Sequence, residues 1–188
     1  SPALILFRLV LLDTMHPLHK FLYCPCCGSD QFYVATVKSK KCGNCGFERF
    51  MNPSSAFVAF IRDSQGRILV VRRGEEPAKG TLDLPGGFAD IGETAEEGIA
   101  REVMEETNLS VTSTRYLFSL PNTYHYSGID IPTLDMFFEC SVENTDPLKA
   151  MDDAAECMWI APADIVAEEF GLNSIRKGVE KMLQEERL

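Results

Sequence analysis

Glu102, Glu105 and Glu106 stand at i, i+3 and i+4 spacing, so in a helix their carboxylates share one face within reach of each other. Three carboxylates crowded together repel, and they stay ionised only where a cation joins them. The spacing therefore reads as a divalent-metal site, against the plainer alternative of a solvated acidic face on a glutamate-rich helix. A second group of ligand-type residues lies upstream, in Cys24-Pro25-Cys26-Cys27-Gly28 and Cys42-Gly43-Asn44-Cys45-Gly46. Two C-x-x-C pairs separated by a short polar stretch supply four thiolates that can converge tetrahedrally on one zinc ion. Cys24, Cys27, Cys42 and Cys45 are the symmetrical set, with Cys26 a spare thiol or substitute ligand and a disulfide framework the rival arrangement.

A four-cysteine site leaves no open position, so its zinc is expected to be structural. The few residues around it could not fold by core burial alone, and metal binding would supply the missing stability. Glycine after the second cysteine of each pair allows the tight turn such a site needs. Lys38, Lys40 and Lys41 between the pairs read as a solvated turn in a chain of this overall charge.

The glutamates belong to a longer pattern: Leu84-Pro85-Gly86-Gly87, then Glu93, then Arg101-Glu102-Val103, Glu105-Glu106 and Asn108-Leu109. In these residues and spacings the segment resembles the Nudix box, with asparagine at 108 where that pattern has glycine. Asparagine is the commonest non-glycine residue in the left-handed conformation that ends helices. Thr94 and Glu97 form a capping box that starts the helix just after Glu93, and Ala95, Ile99 and Val103 supply its buried stripe. The resemblance implies that Glu102, Glu105 and Glu106 hold Mg2+ (or Mn2+), with the Gly86 carbonyl as a further ligand. It also implies that Glu93 and Arg101 brace the loop as an ion pair. The activity implied is hydrolysis of the pyrophosphate bond in a nucleoside diphosphate linked to another moiety, of NADH or ADP-ribose type. A nucleoside triphosphate pyrophosphohydrolase and a non-catalytic nucleotide-sensing protein are the alternatives. A ribbon followed by the box resembles NADH pyrophosphatases, although Ser119-Leu120-Pro121-Asn122-Thr123-Tyr124 replaces the element those enzymes carry after the box.

These groups need elements to position them. The 188 residues accommodate one domain plus a small appendage, read as an N-terminal extension over 1–20, a zinc ribbon over 21–51 and a Nudix domain over 52–188. The expected fold is α/β: an α/β/α sandwich with a mixed sheet, preceded by the four-cysteine ribbon. Strands are expected at 56–62 and 67–72, joined by a hairpin connection through Asp63-Ser64-Gln65-Gly66, and at 114–120, 133–140 and 157–160. Helices are expected near 162–169 and over 173–186. Phe57, Phe60, Phe137, Phe138, Cys140 and Cys157 read as core. Tyr124-His125-Tyr126-Ser127-Gly128 reads as a polar-aromatic loop, in which Tyr124 or Tyr126 could stack on a nucleobase. Asp152, Asp153 and Glu156 are candidate general bases.

A formal net charge of −10 excludes a general polyanion binder, so nucleic acid is an unexpected partner and a small nucleotide substrate the expected one. The apolar run from Ala3 to Leu12 is interrupted by Arg8 and too short to span a bilayer, which favours the cytoplasm. A symmetric homodimer is the simplest assembly.

Overall fold

The computed structural model describes residues 16–185, and the sequence reading of 1–15 lies outside them. Two compact units divide the chain: one takes the residues up to Pro53 together with Thr123–Pro132, and the other takes Ser54–Asn122 and Thr133 onward. Among the described residues no helix is long and apolar enough to cross a membrane.

In the first unit, β1 (Phe32–Thr36), β2 (Ser39–Cys42) and β3 (Glu48–Phe50) form an antiparallel sheet in that order. Its small core gathers Cys24, Phe32 and Cys42, with Phe21 packed against them. Upstream of this sheet His16 and Leu18 are buried. His16 Nδ1 accepts from the Leu18 N–H at 3.1 Å, so its Nε2–H is the donor to the Thr36 carbonyl at 2.9 Å. One expectation is corrected here. Lys40 is not a solvated turn residue: it sits on β2, buried, with Nζ donating to the Phe21 carbonyl at 3.1 Å and lying over the Phe32 ring.

The second unit is built on β4 (Ser54–Ile61), an apolar strand buried on both faces. It pairs in parallel with β9 (Ile129–Val142), from Ser54 opposite Thr133 to Ile61 opposite Cys140. β7 (Gly86–Phe88) flanks β4 antiparallel, and β8 (Val111–Tyr126) completes the order β7-β4-β9-β8. A second sheet runs β10-β5-β6, from Ala154–Ile160, Ile68–Arg73 and Leu82–Asp83. The side chains of β4 alternate between two cores. Val58 and Phe60 join Phe137, Ile68, Val70 and the helix α2 (Asn173–Glu185) through Ile175, Val179 and Met182. Phe57, Ala59 and Ile61 join Phe138, Leu69 and the helix α1 (Ala95–Thr107) through Ile99 and Val103. This is the expected mixed sheet between helices.

Three local expectations change. Asp63 to Gly66 does make a turn, with Asp63 Oδ1 accepting from the Gln65 and Arg67 N–H groups. However, β4 and β5 are bridged only at Arg62–Ile68 and enter different sheets, β4 pairing with β7 and β9 and β5 with β6 and β10. The segment 162–169 holds two short 3₁₀ turns, Pro162–Asp164 and Ala167–Glu169, and no α-helix; Pro162 starts the first, and the extended backbone at Ile165 and Val166 separates them. Tyr124, His125 and Tyr126 are strand residues at the end of β8, and the turn is confined to Ser127 and Gly128, both left-handed.

Candidate metal and catalytic site

Helix α1 starts and ends as its sequence dictates. Thr94 caps it, with both halves of the capping box formed: the Glu97 N–H donates to Thr94 Oγ1 at 3.2 Å and the Thr94 N–H to Glu97 Oε2 at 2.8 Å. Asn108 ends it in the left-handed conformation, φ 60° and ψ 23°. The Asn108 side chain donates to the Pro147 carbonyl at 3.0 Å, a bond glycine could not make. The chain beyond Pro147 then docks on the helix end, where the Lys149 and Met151 N–H groups donate to the Thr107 and Glu106 carbonyls, each at 3.0 Å.

On this helix Arg101 gathers carboxylates from three directions. It donates to both oxygens of Glu93 at 3.1 and 2.8 Å, to Glu102 and Glu105 at 2.9 Å each, and to the Phe88 carbonyl at 3.1 Å. Asp90 lies 3.6 Å away. The guanidinium fork suits this role, and its own pKa is driven up by the acids it holds, Glu93 first. Glu93 is held below the ordinary carboxylate range by Arg101 and by the Asp90 N–H.

Glu106 points elsewhere. Its Oε2 accepts from the Gly86 N–H at 3.1 Å, which fixes the glycine turn against the helix. Burial, then the charges of Asp83 and Glu102, pushes Glu106 up to about 8. Glu102 is also raised, by burial first and then by its acidic neighbours. The three carboxylates therefore share a face without converging on one point; Arg101 draws two of them and Gly86 the third. The glycines are needed for contact: a Cβ on Gly87 would stand 2.5 Å from the Glu102 carboxyl, and one on Gly86 would stand 2.0 Å from the Phe57 carbonyl oxygen. Gly98 is equally constrained, with the Phe57 ring 2.2 Å from where a Cβ would be.

Of the proposed base residues, Asp152 and Asp153 are exposed and Glu156 pairs with Arg72 at 3.1 Å. Tyr124 and Tyr126 lie on the hairpin tip that belongs to the first unit, whereas the glutamates lie in the second. Two groups escaped the sequence reading. Arg73, at the end of β5, pairs with the buried Asp83 at 2.6 Å. Asp135, buried on β9, accepts from Thr133, from Asn122 and from Ser174 of α2. The signal for both acids was a carboxylate inside an otherwise apolar strand.

The four cysteines do converge. The ligand atoms of Cys24, Cys27, Cys42 and Cys45 lie within 4.8 Å of one another, and Cys26 is exposed and outside the group. Gly28 and Gly46 are both left-handed, as the turn after each pair requires. The Ser29 N–H and the Asn44 amide hold the Cys27 thiol down to about 6, and the Cys45 N–H lowers Cys42. Cys45 moves the other way, pushed up to about 12 against the Phe47 N–H by its cysteine neighbours and burial, so the cluster divides into sulfurs that favour the thiolate and one that keeps its proton.

The NUDIX domain family model matches residues 51–182. ADP-ribose pyrophosphatase of Methanocaldococcus jannaschii is 33% identical over 133 residues, covering 70% of this chain and 69% of that protein. NAD-capped RNA hydrolase NudC of Shigella flexneri is 30% identical over 114 residues, covering 61% of this chain and 43% of that protein, less than half its length. Among solved structures, a NUDIX hydrolase from Nitrosomonas europaea superposes with a TM-score of 0.67 at 20% identity, covering 87% of this chain and 90% of that one.

Proposed function

Because the chain belongs to the NUDIX domain family, we propose that it hydrolyses the pyrophosphate bond of a nucleoside diphosphate linked to another moiety, of ADP-ribose or NADH type. The observation that carries this reading is the packing of Gly86 and Gly87 against Glu106 and Glu102, which sets a bare backbone turn beside two part-buried carboxylates. The similarity to an ADP-ribose pyrophosphatase over most of both chains supports the substrate class.

Oxygen donors of this kind fit a hard divalent cation. The part-buried Glu106 carboxyl, with one N–H donor and acidic neighbours, would carry its charge at neutral pH beside such a cation. Glu102, Glu105, Glu106 and the Gly86 carbonyl would hold magnesium or manganese. When bound, such an ion supplies charge neutralisation on the phosphates and a water acidified for attack on phosphorus. Arg101 keeps Glu93, Glu102 and Glu105 in register, and Glu93 ties that cluster to the Asp90 N–H in the loop that precedes the helix. The four cysteines would hold zinc in a structural role.

The test is to incubate the full chain and magnesium with ADP-ribose, NADH and nucleoside triphosphates, and to identify products by chromatography and mass spectrometry. Two monophosphates from ADP-ribose or NADH are expected. Inorganic pyrophosphate from triphosphates alone would move the assignment to a triphosphate pyrophosphohydrolase. Binding with no magnesium-stimulated turnover of any substrate would overturn the enzymatic reading in favour of a nucleotide sensor.

A further inference from the structure

We propose that Arg73, acting through Asp83, is a positioning residue for Glu106 and ties that carboxylate to the loop over residues 74–80. Arg101 organises Glu93, Glu102 and Glu105, whereas Glu106 takes its position from the Gly86 N–H. What fixes Gly86 is therefore what fixes Glu106, and the chain leading into that turn is held by Asp83.

Asp83 is buried, and its two oxygens have separate tasks. Oδ2 accepts from Arg73 Nη1 at 2.6 Å, and Oδ1 accepts from the Leu84 N–H at 2.8 Å, the first residue of the turn. Past Leu84, the Pro85 carbonyl accepts from the Ala59 N–H at 2.8 Å, and the Gly86 N–H reaches Glu106. On its other side Arg73 Nε donates to the Pro77 carbonyl at 2.7 Å. The Arg73 backbone closes the same loop, its N–H donating to the Thr81 carbonyl at 3.0 Å and its carbonyl accepting from the Gly80 N–H at 2.9 Å. A continuous path of hydrogen bonds and backbone thus runs from the loop through Arg73 and Asp83 to the turn and Glu106. Lysine could not replace the fork, since it cannot present two fixed N–H directions to Asp83 and Pro77 at once.

The inference rests on Glu106 being a metal ligand, and the experiment separates the two claims. Mn2+ binding to the full chain is followed by the electron paramagnetic resonance of free Mn2+, without substrate, for wild type, E106Q, R73K and the double variant R73M/D83N. The double variant removes both buried charges together, so neither is left unpaired if R73K loses its cooperative melt. Groups that orient metal ligands typically contribute ten- to a hundredfold in affinity, and a loss of about tenfold or more is expected for R73K and R73M/D83N at temperatures well below their measured melting points. A purely structural pair would lower the melting point and leave Mn2+ affinity unchanged in the folded protein, which would overturn the positioning role. Wild-type affinity in E106Q would instead overturn the metal-ligand reading itself.

Discussion

Replacing Glu106 by glutamine should make the metal-free protein more stable at pH 8 while abolishing its activity. Glutamine keeps an acceptor for the Gly86 N–H and removes only the ionisable group. In the metal-free fold, burial first and then Asp83 and Glu102 raise this carboxyl from 4.5 to about 8. A group whose folded pKa is raised contributes stability that is fully present below its unfolded value and is lost as pH rises through the folded one. The wild type should therefore lose stability between about pH 4.5 and 8, as the unfolded chain releases a proton that the native state retains. At about 1.4 kcal/mol per pH unit the ceiling is about 5 kcal/mol, and relaxation and water penetration bring the expected difference to about 2 kcal/mol. For a chain of this size that is a shift of roughly 4 to 8 °C in melting temperature.

The assay is calorimetry of wild type and E106Q from pH 4.5 to 8.5 in zinc-replete, magnesium-free buffer, repeated with magnesium. The two curves should coincide near pH 4.5 and diverge with E106Q the more stable above pH 7. Magnesium should raise the wild-type midpoint at pH 8 and leave that of E106Q nearly unmoved. Parallel pH profiles would refute the argument, because they would mean that Glu106 ionises in the folded protein as freely as in the unfolded chain.

Other consequences follow from particular contacts. R101K should lower metal affinity or turnover by about ten- to a hundredfold, measured by Mn2+ titration and steady-state kinetics, since one ammonium cannot replace the fork that holds Glu93, Glu102 and Glu105. G98A should destabilise by about 1–3 kcal/mol in urea unfolding despite alanine's higher helix propensity, because its Cβ would overlap the Phe57 ring. C42S should lose zinc, read by elemental analysis, along with the cooperative unfolding of the ribbon, whereas C26S should retain the metal because Cys26 stands outside the sulfur cluster.

The parts of the molecule legible from sequence are those whose signals are local. The Thr94–Glu97 box and Asn108 bound α1 because capping is decided within a few residues. The four cysteines could be chosen by spacing because a tetrahedral site admits few chain geometries. The partition of β4 and β5 between two sheets was not legible, because an apolar run looks the same whether it pairs with its neighbour or with a strand far along the chain. The same holds for 162–169, where proline and acidic residues read as a helix start, yet Val166 is extended. Lys40 escaped because a lysine buries its stem only where a carbonyl such as that of Phe21 waits for its ammonium. Asp83 and Arg73 are ten residues apart with no periodic signal, and only the pairing of β5 with β6 brings them together.

Helix α1 also carries its charges in an order that stability alone would not favour. Helix N-termini favour acidic residues and C-termini basic ones, by about 0.3–1 kcal/mol each. The first turn complies with Glu96 and Glu97, but the last turn has no basic residue and carries Glu105 and Glu106. The helix-end carbonyls of Glu106 and Thr107 accept from the Met151 and Lys149 N–H groups, which satisfies them but brings no formal positive charge to the carboxylates. Apolar packing does not demand carboxylates here, because Ile99 and Val103 supply the buried stripe, which Glu102 and Glu106 only flank, part-buried. The repulsion is concentrated on the face that meets the glycine turn, where a divalent cation would relieve it. Metal-free stability and metal affinity should therefore oppose each other at these positions, with Glu106, whose carboxyl burial pushes up to about 8, showing the opposition most strongly.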